Sequence, residues 1–331
     1  RIDHASLAAV TIIADDDCVP ELVQPDAAVA AFGTVAGNPD FYFAGVDQNG
    51  QVQAGESDIS GGYKYDPGFG WGQFDIPDGG SGKMTCRPVM HDGKLYVGYL
   101  DSINALAVFN GTQWAYVADA PASGNARITS LCSHDGQLFI GTNDADADVN
   151  QNGLYVWNGL EFSPVGPALL SSNSARPAAS AGHFAGFLVP TADGAADTRV
   201  RGIWHVVLQT GGYYVPQLLL RWDDAQGVAL AGGYVWAWGS GSSSRIVLGL
   251  PGGTRWLDVA ELAGVKDIFE AAGRVYALTA TALYLWTGSG WSAVTGSGTA
   301  LNAAAVGADR VWLVGENGEV KVVYLAHAAL D

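Results

Sequence analysis

Ser133 to Val165 reads SHDGQLFIGTNDADADVNQNGLYVWNGLEFSPV. It opens on an acidic-glycine turn and runs into an alternating apolar segment. An acidic loop follows, then a second alternating segment, an Asn-Gly turn and a third short one. Period-two apolar runs cut by Gly, Asn and Asp are the pattern of short antiparallel strands joined by tight turns. The stretch is therefore a meander of strands, and the rest of the chain repeats it.

The plainest repeat pairs Met90–Gly98 (MHDGKLYVG) with Ser133–Gly141 (SHDGQLFIG), 43 residues apart. Weaker copies begin at Asn38, His183, Ala231, Ala272 and Ala308. Residues opening the repeated strand are Phe41, Lys94, Gln137, Phe187, Tyr234, Arg274 and Arg310, at intervals of 53, 43, 50, 47, 40 and 36. Their mean, about 45, is the period of a four-stranded propeller blade. Small apolar runs such as Ala303-Ala-Ala-Val306 precede these positions and suit an innermost strand, where blades converge. A third strand follows each, as in Gly153–Trp157 and Ala282–Trp286. A Gly turn then leads to a fourth strand with an aromatic, such as Trp114, Phe162, Trp256 or Trp291. Asn110-Gly111, Asn158-Gly159 and Gly252-Gly253 are hairpin turns, since those residues accept φ > 0.

The unit is strand a, tight turn, strand b, variable loop, strand c, tight turn, strand d. The chain reads as all-β: one seven-bladed β-propeller of four-stranded antiparallel blades, with six or eight blades as the alternative. The blades fall near 38–80, 81–122, 123–168, 178–222, 226–262, 264–297 and 300–327, with 1–37 as closing strand and lead-in. Ser6–Ile13 reads as a strand that pairs with Val320–Tyr324 and locks the ring. A β-sandwich competes, but no Pro- or Ser-rich linker divides the chain.

The repeats Gly153-Leu-Tyr-Val-Trp-Asn-Gly159 and Ala282-Leu-Tyr-Leu-Trp-Thr-Gly288 resemble those of degenerate propellers of the Kelch, sialidase-like and tectonin-like kind. Such propellers occur in secreted bacterial proteins and bacteriophage virion proteins. The resemblance implies a module outside the cell or on a virion surface. It carries no catalytic residues over: no Trp-Asp signature repeats, and Asn110-Gly-Thr-Gln-Trp114 has only the end of a sialidase Asp-box.

Composition narrows function further. The chain has 331 residues, 48% hydrophobic and 15% charged, with 45 Gly and 11 Trp. That is globular and turn-rich. With 33 acidic against 16 basic residues the formal charge is −17, which disfavours nucleic acid, whose phosphates need clustered Lys and Arg. No apolar run reaches the length of a membrane span. Cys18, Cys86 and Cys132 make neither a disulfide framework nor a CxxC zinc pattern. The chain opens on Arg1 with no signal peptide, which reads as a processed or cropped form.

Loop lengths predict a working face. The a–b and c–d turns are short. The b–c connections (Val46–Gly61, Thr142–Gln151, Thr191–Arg201, Gly239–Ser244) and the d–a connections (Ala118–Ala126, Gly166–Pro177) are long. Both of those emerge on one side of a propeller. Within Asn143–Gly153, Asp144, Asp146, Asp148, Asn150 and Asn152 present an oxygen at every second residue. That pattern fits a structural Ca²⁺, which takes six to eight oxygens. The loop lacks the late acid of an EF-hand, Gly159 standing at that place, and a solvated acidic loop is the competing reading. No cofactor is required otherwise.

Aromatics outside the repeat pattern, Tyr63, Tyr65, Phe69, Trp71 and Tyr213, are the ligand candidates, since such rings stack on sugars and anchor protein interfaces. Interior hairpin packing is the alternative for them. His91 and His134 occupy equivalent turns and read as turn structure. Asp47, Glu56, Asp58, Asp101, Asp193 and Asp197, with Arg199 and Arg201, are the acids and clamps a glycan-acting hydrolase or lyase would draw on, but no spacing selects a pair. The sequence thus favours a non-enzymatic binding or structural module presenting loops to a glycan or protein partner, alone or as a subunit of a larger assembly. The hydrolase or lyase is the alternative.

Overall fold

The structure, a computed structural model, describes residues 29–34, 41–56, 62–66, 69–74, 83–100, 106–117, 126–134, 136–144, 153–164, 174–180, 183–189, 202–208, 214–222, 225–239, 246–249, 255–259, 261–297 and 300–325.

Antiparallel meanders follow one another along the chain. Strands β2 (Phe41–Val46), β3 (Val52–Glu56), β4 (Gly62–Asp66) and β5 (Gly70–Phe74) form one blade. Strands β11 (Ala126–His134) to β14 (Phe162–Pro164), β15 (Ser174–Ser180) to β18 (Tyr214–Arg221), β19 (Ala225–Ala231) to β22 (Trp256–Val259) and β23 (Val265–Ala271) to β26 (Trp291–Ala293) form four more. In the last blade β27 (Leu301–Val306), β28 (Arg310–Gly315) and β29 (Glu319–Tyr324) are completed by β1 (Val29–Thr34) on the outside. Neighbouring sheets touch in chain order, and β2 meets β27, so the ring closes.

The expected seven four-stranded blades need correction. Among the described residues six blades are four-stranded. The stretch from Lys83 to Tyr116 departs from the unit and is a five-stranded sheet. Its inner edge is broken into β6 (Lys83–Met84) and β7 (Val89–His91), both paired to β8 (Lys94–Leu100), with β9 (Leu106–Phe109) and β10 (Trp114–Tyr116) outside. Pro88 lies in the gap and has no N–H to give the ladder.

Ring closure is also corrected. Val320–Tyr324 does not take Ser6–Ile13, which lies outside the described residues. Its outer edge is filled by β1, with Val29 opposite Val323, Ala30 opposite Val322 and Ala31 opposite Lys321. β28 holds its other edge, so no edge remains for a further strand.

A third correction concerns the frame of the first unit. Phe41–Val46 is an innermost strand, and the b strand is Val52–Glu56. Val52 precedes Lys94 by 42 residues, which removes the long first interval. The segment Asp47–Gln51, expected within a long b–c loop, is a tight a–b turn: the Asp47 carboxylate accepts the N–H groups of Asn49 (2.9 Å) and Gln51 (3.0 Å).

Turn chemistry explains the regular parts. Asp92-Gly93 and Ala272-Gly273 take φ of 46°, 69° and 48°, 70°, the twisted two-residue hairpin. At the c–d corners the Asn110 side chain accepts from the N–H groups of Thr112 and Gln113, and Asn158 does the same for Leu160 and Glu161. Strands b, pressed between neighbouring sheets, are buried on both faces: Val311–Gly315 is wholly buried, as is Val275–Thr279. Outer strands such as Trp256–Val259 are partly exposed. That is why b strands read as unbroken apolar runs and d strands do not.

Aromatics join the blades by one recurring contact. Trp236 of β20 (Tyr234–Gly239) packs on Trp286 of β25 (Leu283–Trp286) and on Trp291 of the next blade. Tyr96 packs on Trp157 of β13 (Gly153–Trp157), itself stacked on Phe162. Strand glycines let sheets approach. A Cβ on Gly98 would stand 2.5 Å from Ile128 Cγ2 and 2.9 Å from Cys86 Sγ. Gly98→Ala is expected to destabilise by about 1–3 kcal/mol, the usual cost of overpacking, read as a lower urea midpoint at unchanged slope. Gly50→Ala, with open space around it but φ of +74°, is expected to cost about 1 kcal/mol from backbone strain alone.

Candidate functional site: the axial mouth

Each inner strand descends from the side of the b–c and d–a loops, so its first residues ring the mouth of the axis there. Five inner strands carry a register shift near that end. The shifts lie between Phe41 and Phe43, Ile128 and Ser130, Ala225 and Gly227, Val265 and Asp267, and Leu301 and Ala303. In each, one extra residue is pushed out of the ladder: Tyr42, Thr129, Gln226, Lys266 and Asn302. A bulge of this kind bends the strand and re-aims a side chain. The broken inner edge at Thr85–Pro88 occupies the corresponding place in the five-stranded sheet.

Three of the extra residues have described side chains, and all are polar or carry a polar tip. Tyr42 is 42% exposed. Lys266 donates to the Leu301 carbonyl and to Asn302 Oδ1, both at 2.6 Å. Burial holds its ammonium below the ordinary value, and Glu316 acts in the opposite sense. The Asn302 Nδ2 is buried with no acceptor.

Across the axis, Arg87 Nη1 donates to Asp267 Oδ2 at 2.6 Å. The two residues belong to sheets that are not neighbours in the ring. The blade of β2–β5 and the blade of β27–β29 and β1 lie between them on one side, and three blades lie between them on the other. The Arg87 side chain therefore spans the axis, with its guanidinium 5.8 Å from the Phe269 ring centre. Burial pushes the Asp267 carboxyl above its ordinary range; Arg87 and the Ile268 N–H pull it back only in part. A carboxylate at about two residues' depth from the rim, some 7 Å at strand rise, is thus held in a cation's grip.

The sequence-predicted residues are distributed otherwise. Tyr63 meets Phe41 edge-on at 5.5 Å, Trp71 lies 6.0 Å from Phe41, and Tyr65 packs on Trp71 and on Trp312 of β28. These three belong to the core between two blades. Phe69, at the c–d corner, is 94% exposed. Tyr213 lies outside the described residues. Asp144 ends β12 (Gln137–Asp144), while Asp146, Asp148, Asn150 and Asn152 lie outside the described residues. Among the described residues no three His, Cys, Asp or Glu side chains cluster as a metal site.

Of the acids, Asp47 sits in an a–b turn on the opposite side from the mouth, where Gln53 Nε2 also donates to it at 2.7 Å. Glu56 ends β3 on the mouth side. Asp58, Asp101, Asp193, Asp197, Arg199 and Arg201 lie outside the described residues. Sequence reasoning missed the bulge ring and the Arg87–Asp267 bridge. A signal for the ring exists: Tyr42, Gln226, Lys266 and Asn302 are each the second residue of an inner strand.

On the opposite side, His91 is buried, with Nδ1 2.9 Å from Ser133 Oγ and its ring against Tyr96 and Trp157. Desolvation holds its pKa below 6.5, partly offset by Asp92. The unfolded chain then binds the proton more readily, so His91 contributes stability above about pH 6.5 that is lost as pH falls. The unfolding free energy of the wild type is expected to drop between pH 7 and 5 by more than that of His91→Gln, with urea titrations at each pH as the check. Cys86 is buried and its thiol is pushed up to about 12, so it is inert as a nucleophile.

No family model matches the chain, and no curated protein matches it. Solved structures do. Virginiamycin B lyase from Staphylococcus aureus, as a catalytically inactive variant with quinupristin, aligns at a TM-score of 0.67 with 8% identity, over 90% of this chain and 99% of that one. The extracellular domain of BT4673 from B. thetaiotaomicron, described as part of a hybrid two-component system, aligns at 0.62 with 14% identity over 89% of this chain. The chain spans 39% of that domain's length. YCF48 bound to a D1 peptide aligns at 0.57 with 12% identity, over 90% of this chain and 96% of that one. These likenesses establish a degenerate β-propeller and nothing finer. Neither a Kelch nor a virion subfamily is indicated, and no catalytic residue transfers. No described helix is long and apolar enough to cross a membrane.

Proposed function

We propose that the chain is a non-enzymatic binding module that holds a segment of a protein partner over the axial mouth. The bulge ring carries the reading. Five inner strands each give up ladder regularity at the same level, and the extra residues whose side chains are described, Tyr42, Lys266 and Asn302, are polar or carry a polar tip. The products are hydrogen-bonding groups and an exposed tyrosine, the equipment for gripping a polar main chain. The peptide-bound YCF48 propeller and the extracellular BT4673 domain support a peptide-class partner and a place outside the cell. So does a lysine-poor acidic composition.

The test pairs a peptide array with a glycan array, both probed with the purified protein. Binding to peptides, lost in Tyr42→Ala and Lys266→Ala proteins with unchanged melting temperature, is expected. A blank peptide array beside a positive glycan array would sink the protein reading. A structural Ca²⁺ in the Asp144–Asn152 loop is a separate proposal, resting on the alternating oxygens. Chelation is then expected to lower the melting temperature by several degrees, reversed by added Ca²⁺ and absent when Asp146 and Asp148 are changed to Ala.

A further inference from the structure

The axial mouth has a charge balance unlike the rest of the molecule. The chain carries about twice as many acids as bases, yet this rim holds two cations, Arg87 paired with Asp267 and Lys266 next to Asp267 in the strand, with Glu316 acting on Lys266 from the neighbouring blade. Both hydrogen-bond acceptors of the Lys266 ammonium are neutral. The Arg87 contact with Asp267 runs through one nitrogen, whereas a guanidinium offers five N–H donors in a fork that suits both oxygens of a carboxylate. Its side chain is 40% exposed even while paired. Beside Lys266, Asn302 Nδ2 is a buried donor without an acceptor. Cations held by neutral or single-point partners, next to an unused donor, describe a site that lacks an anionic acceptor.

We infer that the mouth binds a carboxylate of the partner segment, its C terminus or an acidic side chain, which displaces Asp267 from Arg87. Asp267 is the stand-in that occupies the guanidinium until that group arrives. Released from Arg87, it is left in a setting that already disfavours its charge, so exchange is easier as pH falls and Asp267 takes up a proton. The inference rests on the binding-module reading for the nature of the partner, but not for its chemistry, which a small acid can report.

The probes are acetyl-Gly-Gly, its C-terminal amide, and succinate, titrated calorimetrically into the full chain. The acid is expected to bind and the amide not to bind. Succinate binding as well as the peptide acid would place the recognition in the carboxylate alone. Asp267→Asn, which removes the internal competitor, is expected to bind the acid about tenfold more tightly, and Arg87→Gln about tenfold more weakly, the worth of one charge-assisted contact. Near-UV circular dichroism reports the fold. Should Arg87→Gln unfold, Arg87→Lys keeps the charge without the fork and is expected to weaken the acid likewise. Equal binding of acid and amide, or no binding by either the wild type or Asp267→Asn, overturns the site. Acid binding with a blank peptide array would keep the site and sink the binding-module reading. Peptides captured equally by the wild type and Arg87→Gln would sink only the site.

Discussion

Trp236→Ala is expected to lower stability by about 3–5 kcal/mol, the range for truncating a buried aromatic. Trp236 is 1% exposed, and its Nε1 donates to the Ala231 carbonyl at 2.9 Å. The ring meets Trp286 edge-on at 5.3 Å and lies 5.6 Å from Trp291. Truncation therefore opens a cavity between two blades and strips a buried carbonyl of its donor. Trp236→Phe keeps most of the ring volume and loses the donor, so a smaller cost, about 1–3 kcal/mol, is expected. The contrast is Phe69→Ala. That ring is nearly free of contacts, and the change should stay within about 0.5 kcal/mol. Urea midpoints of the three variants test this ordering. A Phe69 effect as large as that of Trp236 would mean the corner is packed against something in solution.

The same contact explains what could be read from the sequence and what could not. Asn-Gly corners and the His-Asp-Gly turns are local: a few residues set them, and Asn110, Asn158 and Gly93 behave as their types require. The period followed from those turns. The frame of the first blade did not, because β3 does not look like a strand. Val52-Gln-Ala-Gly-Glu56 has a polar residue, Gln53, at the register place where other b strands carry Tyr96, Phe139, Trp236, Tyr276 and Trp312. Its Gln53 is fully buried, with its amide on the equally buried carboxylate of Asp47. A nonlocal hydrogen bond thus turned a polar stretch into interior strand. The slip had a consequence for the site. Counted from Phe41 as a b strand, Tyr65 and Trp71 fall outside the repeat and look like ligand-binding rings. Counted from Val52, they hold the c and d places of Trp286 and Trp291, and Trp312 stands to them as Trp236 does to that pair.

The mouth was legible in a weaker sense. A polar residue second in an inner strand passes for ordinary alternation in any single blade, and only superposing several strands shows its recurrence. The Arg87–Asp267 bridge joins residues 180 apart in sequence. Nothing local marks either one, since the pairing depends on ring closure bringing two non-adjacent sheets to a common axis.

Ring closure itself yields the other large expected effect. Removal of residues through Thr34 takes away β1 and leaves β29 as an open edge. The four pairs Val29–Val323, Ala30–Val322, Ala31–Lys321 and Thr34–Glu319 are lost. Val322 and Val323, both fully buried, then lie in an edge strand beside unpaired N–H and C=O groups, which is a template for intermolecular pairing. At about 1 kcal/mol net for each ladder hydrogen bond, and with side-chain burial added, the loss is several kcal/mol. A melting temperature lowered by on the order of 10 °C is expected, together with aggregation that rises with concentration. A synthetic peptide spanning residues 27–36, added in trans, should restore part of the lost stability in a concentration-dependent way, because it refills the same edge. Recovery by that peptide but not by a scrambled one separates edge repair from a general effect of chain length. A truncated protein that melts as the full chain does would show that β27, β28 and β29 hold the ring without a fourth strand.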